Sequence, residues 1–75
     1  MTTEEAKREI LPGKYRHYKG NEYEVIGIAS HSETLEPMVI YRALYGEGGL
    51  WARPAGMWNE LIADKGVNRF TRISD

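Results

Sequence analysis

The chain has 75 residues, 41% hydrophobic and 28% charged, with a net charge of −1 and no cysteine. That is enough for one small domain, which buries only roughly 60% of the surface its unfolded form exposes. The composition excludes a disulfide framework, a thiolate metal site and a cysteine nucleophile. No apolar run is long enough to span a membrane, and the N-terminus does not read as a signal peptide. Leu, Ile, Val and Phe together number 15, a low count for a globular core. Two Trp, five Tyr and one Phe offset it, because each aromatic buries a large area.

Residues 1–12 read as a lead-in, a short helix or a frayed segment. Thr2 and Glu5 have the spacing of a capping box, and Pro12-Gly13 stops the turn. Its removal is expected to leave the rest folded. The remaining domain, 13–75, reads as all-β. Lys14 to Lys19 alternates, Gly20-Asn21 signals a turn, and Glu22 to His31 follows as a second strand. A hairpin there sets Lys14 and Arg16 across from Glu22 and Glu24, pairing opposite charges. Ser30 to Pro37 is an acidic loop. Met38 to Tyr45 is the most strand-like stretch. Either Val39 and Tyr41, with Tyr45, or Ile40 and Leu44 face inward with Tyr23 and Val25. Gly46-Glu47-Gly48-Gly49 is a hairpin turn needing positive φ rather than a phosphate cradle, since no helix follows it.

Leu50 to Arg53 is the fourth strand, ended by Pro54-Ala55-Gly56. Trp51 and Arg53 share a face, and Leu50 and Ala52 read as the core-facing pair. Met57 to Ala63 suits a helical turn or a strand. Asp64-Lys65-Gly66 is a turn, and Phe70 to Ile73 a closing strand. Five or six short strands in so short a chain predict a small antiparallel barrel, SH3-like before OB-like.

Five stretches stand together: Gly13 to Gly20, Tyr23-Glu24-Val25, His31 to Glu36, Val39 to Gly46, and Leu50-Trp51-Ala52-Arg53-Pro54. In this combination, over residues 13–73, the chain resembles a small bacterial family known as domain of unknown function 1653. The resemblance implies an SH3-type barrel and supplies no activity and no catalytic residue. Where that family commonly runs Pro-Arg-Phe, this chain has Asn68-Arg69-Phe70.

Chemistry is thinly represented. Ser32 beside His31 is a poor nucleophile–base pair, because neighbours on an extended chain point opposite ways. His31, Glu33 and Glu36 lack the second imidazole of a metal site. Ser32 and Thr34 read instead as turn-forming hydroxyls. The chain is therefore read as non-enzymatic, without cofactor or metal, in the cytoplasm and off the membrane. A groove of exposed aromatics, Tyr18, Tyr45, Trp51 and Trp58, rimmed by Arg16, Arg42 and Arg53, is expected to take a protein or peptide partner. The alternative is a nucleic-acid adaptor using the basic first strand with aromatic stacking, which the pI near 6.1 disfavours.

Overall fold

The computed structural model describes residues 1–58, 61–62 and 66–74. One helix, α1 (Thr3–Glu9), precedes four long strands: β1 (Gly13–His17), β2 (Glu22–Ser30), β3 (Pro37–Ala43) and β4 (Leu50–Pro54). A single 3₁₀ turn, Ala55–Met57, follows β4. Two short strands, β5 (Leu61–Ile62) and β6 (Val67–Asn68), pair with each other. The last strand is β7 (Phe70–Ser74). The Met57–Ala63 region thus holds both a turn and a strand, while Ala63, Asp64 and Lys65 lie outside the described residues.

The five long strands form one antiparallel sheet in the order β4-β3-β2-β1-β7. Charge sets the β1–β2 register: Lys14 pairs with Glu24 and Arg16 with Glu22. Gly13 begins β1 at φ 140°, where a Cβ would lie 2.5 Å from the Ser74 carbonyl oxygen. Only glycine allows β7 to approach so closely. A bulge between Val25 and Gly27 puts Ile26 out of register with β3.

The sheet is open. The expected barrel does not close, because β4 and β7 are both edges and share no ladder. Side chains fill the gap instead. Trp58, just after the 3₁₀ turn, stacks on Phe70 at the start of β7, with ring centroids 3.8 Å apart. Arg53 of β4 reaches over the same ring, its Cζ 5.8 Å from the centroid. Where a barrel would have a β4–β7 ladder, this chain has rings and a guanidinium.

The core lies on one face of the sheet. Tyr15, Val25, Val39, Tyr41, Ala55, Trp58 and Phe70 form one cluster with Ala6 and Ile10 of the N-terminal segment. It is largely aromatic, with Tyr15 and Tyr41 edge-on to Trp58 at 5.5 and 5.0 Å. Of the two alternations open for β3, Val39 and Tyr41 are buried; Ile40 is half-buried and Leu44 exposed.

Two expectations are resolved. First, of the two readings of residues 1–12, the short helix is the one present. The capping box forms, with Glu5 N–H donating to Thr2 Oγ1 at 3.1 Å and Thr2 N–H to Glu5 Oε1 at 2.9 Å. Ala6 and Ile10, four apart on one helical face, are both buried. Tyr15 also donates its hydroxyl to the Leu11 carbonyl at 2.8 Å. The helix therefore covers part of the core that a five-stranded sheet leaves bare. Second, Leu50 and Ala52 do not face the core. They lie opposite Arg42 and Ile40 on the outer face, and both are exposed. Trp51 and Arg53 lie opposite Tyr41 and Val39, on the core's face. At an edge strand the core has already ended, so facing its side does not bring burial.

Candidate functional site

The hairpin joining β3 and β4 builds a shallow hollow of about 260 Å³. Ala43, Tyr45, Trp51 and the 46–49 turn line it. Gly46 and Gly48 take φ of 58° and 68°, the left-handed backbone that folds β4 back on β3. The turn is fastened by Ala43 N–H to Gly49 O and Gly48 N–H to Tyr45 O, each 3.2 Å. Trp51 is 60% exposed and Tyr45 50% exposed. Tyr45 is nonetheless held in place. Its hydroxyl lies 2.9 Å from that of Tyr23, and the rings meet edge to face at 5.6 Å. Burial first, then the Tyr45 hydrogen bond, pushes the Tyr23 phenol up to about 12. The hollow is thus one fixed aromatic wall and one exposed indole beside an unpaired strand edge.

The seven residues singled out from the sequence do not form one groove. Tyr45 and Trp51 come together in the hollow, with Arg53 two residues further along β4. Arg16, on β1, and Tyr18, just after it, lie toward the β7 side of the sheet, away from β4. They line a second hollow of about 290 Å³ with His17, Val67, Asn68, Thr71 and Ile73. Arg42 is on the outer face, 3.8 Å from the Glu24 carboxylate. Trp58 is withdrawn altogether: its fully buried ring is the centre of the core, so it lines no groove. The turn after Pro54 folds it inward, and nothing in the local pattern of residues 55–60 marks that.

The basic strand is neutralised from within. Arg16 bonds Glu22 at 3.0 Å, and Lys14 sits 4.0 Å from the same carboxylate. Such exposed pairs add little stability, but they offset part of the charge a phosphate backbone would use.

Sequence reasoning missed a second group of side chains. His17 and Phe70 face each other in the β1–β7 ladder, with rings 5.0 Å apart. Burial, then Arg69, Arg53 and Lys19, holds the His17 imidazole below its usual pKa. These residues come from three distant segments, so no local spacing announces them. Also missed was His31, whose Nδ1 accepts from the N–H groups of Glu33 and Thr34 at 3.1 and 3.3 Å. Thr34 Oγ1 accepts from Glu36 N–H at 3.3 Å. The acidic loop is organised by an imidazole and one threonine, with no such bond from Ser32 among the described residues. No three His, Cys, Asp or Glu among the described residues are placed to share a metal ion.

No helix among the described residues is long and apolar enough to cross a membrane. No curated protein matches the chain. A crystal structure of a DUF1653 protein from Bordetella bronchiseptica does, with 35% identity and a TM-score of 0.79 over 89% of this chain and 91% of that one. The family model described as "Protein of unknown function (DUF1653)" matches residues 13–72. The same residues hold the whole five-stranded sheet but its last two positions, and on that match the chain belongs to the DUF1653 family.

Proposed function

We propose that this domain is a non-enzymatic binding module of SH3-like character, working in the bacterial cytoplasm. It holds an extended segment of a protein partner along β4, with Tyr45 and Trp51 as the aromatic platform. One observation carries the reading: a tryptophan 60% exposed on a strand whose outer edge has no partner among the described residues, beside a tyrosine anchored by its hydroxyl. Exposing an indole forgoes a large burial gain, and Trp is enriched among residues that dominate binding energy. An edge strand offers free backbone N–H and C=O groups to an added strand. Catalysis has less support, since neither histidine has a nucleophile within hydrogen-bond reach among the described residues.

The test is capture of partners from native extract, with and without nuclease, by wild type and by Trp51→Ala. A protein partner that survives nuclease and is lost with Trp51→Ala, at an unchanged melting temperature, is the expected result. Capture that depends on nucleic acid and weakens steeply with salt points to the adaptor instead. An unchanged set of captured proteins with Trp51→Ala sinks the groove.

A further inference from the structure

The open seam between β4 and β7 is crossed by Arg53, which pairs with no carboxylate among the described residues. Arg53 sends its guanidinium from β4 across the seam onto Phe70. Across that ring stands His17. Arg69 precedes Phe70, and its carbonyl accepts from Tyr18 N–H at 2.9 Å. Lys19 Nζ lies 5.9 Å from the Tyr18 ring centre.

Arg53 and Lys19 differ in their pairing from Lys14, Arg16 and Arg42. Lys14 and Arg16 share Glu22, and Arg42 has Glu24. Arg53 and Lys19 have no carboxylate within ion-pair distance among the described residues. The Nε–H of Arg53 is also buried without a hydrogen-bond acceptor. A carboxylate brought to the end of this guanidinium makes a charge-assisted, planar, two-pronged bond.

Spacing links the seam to the groove. Trp51 and Arg53 are two residues apart on β4, hence about 6.5–7 Å along the strand. A segment added to β4 repeats that step, so its alternate side chains meet Trp51 and Arg53 in turn. We propose that the segment held by β4 is acidic, with an apolar side chain on Trp51 and an aspartate or glutamate two residues away at Arg53. The inference rests on the groove reading above and names the class of partner that groove takes. A carboxylate suits the seam better than a nucleic-acid backbone. A run of phosphates needs a row of free cations, whereas Lys14 and Arg16 of the first strand already share Glu22.

The experiment selects random octapeptides, displayed on phage, against the whole chain, then titrates the enriched peptides by fluorescence. The expected motif is an apolar residue with Asp or Glu two positions away. Binding falls about tenfold with Arg53→Gln and with amidation of the peptide's acid, as loss of a charge-assisted bond implies. Should Arg53→Gln fail to fold, Arg53→Lys keeps the charge but not the fork, and a severalfold loss is then expected. Enriched peptides without an acid, bound through Trp51 and indifferent to both Arg53 variants, overturn the acidic partner while the groove stands. Peptides whose binding ignores Trp51→Ala, or no enrichment, overturn both. A single-stranded oligonucleotide that binds at Arg53 with steep salt dependence replaces the carboxylate with a phosphate.

Discussion

Replacing Ile10 by Ala tests whether the N-terminal segment is part of the fold. Ile10 is 1% exposed and packs in the same cluster as Trp58 and Phe70. The change deletes three carbons' worth of buried apolar surface, about 2.4 kcal/mol of transfer energy at ~0.8 kcal/mol per methylene. A cavity adds to that, and buried Ile→Ala changes cost about 2–5 kcal/mol. A single core in a chain this short supplies roughly 3–5 kcal/mol of stability. The variant therefore loses half of its stability or more. Urea unfolding followed by tryptophan emission and far-ultraviolet circular dichroism reads it out. With a slope of about 1 kcal/mol per molar, the midpoint drops by about 2 M or the protein is unfolded without denaturant. Leu11→Ala is the control, because Leu11 is exposed and its loss costs within about 0.5 kcal/mol. If Ile10→Ala moves the midpoint no further than Leu11→Ala, or a chain beginning at Gly13 melts like wild type, the helix is not structural and the reasoning is wrong.

Trp51→Ala, by contrast, shifts the melting temperature by no more than about 2–4 °C, in keeping with a surface change of about 0.5 kcal/mol or less; a loss of several kcal/mol places the indole in the core. In an alkaline titration followed at 295 nm, one tyrosine resists ionisation to about 12, and Tyr45→Phe brings it down. Because the folded Tyr23 pKa lies above the ordinary value near 10, its contribution is intact below about pH 10 and is lost as pH rises through about 12. A stability curve flat across that window contradicts the assignment. His31→Ala costs about 1 kcal/mol and speeds amide exchange at Glu33 and Thr34, whereas Ser32→Ala is silent. Equal effects of the two substitutions would remove the imidazole from the centre of the loop.

The strands were legible because their causes are local. Alternation in Lys14 to His17 and Met38 to Tyr41, with glycines at the turns, is enough to locate them, and opposite charges set the first hairpin's register. Burial was less legible. Trp51 and Trp58 look alike in the sequence, and only the turn at Ala55 and the position of β4 at the sheet edge send one inward and leave the other out. Reading Leu50 and Ala52 as the core-facing pair treats an edge strand as a central one. The helix was within reach, since Ala6 and Ile10 share a face. A helix this short is weak in isolation, and the core that receives it is assembled from distant segments. Closure was overread because antiparallel strands of this number often close, and the aromatic pair that occupies the gap is a tertiary event.

The ladder between β1 and β7 brings Ser74 beside Lys14, the two ends of nearly the whole sheet. β2, β3 and β4 join through near neighbours, but β7 must return across the length of the domain, and closing so long a loop is a late and slow event. Until it docks, β1 has a bare edge and Trp58 lacks the ring of Phe70. The β7 of another copy fits that slot as well as the chain's own. Strand exchange between copies is thus the characteristic hazard of refolding this topology at high protein concentration.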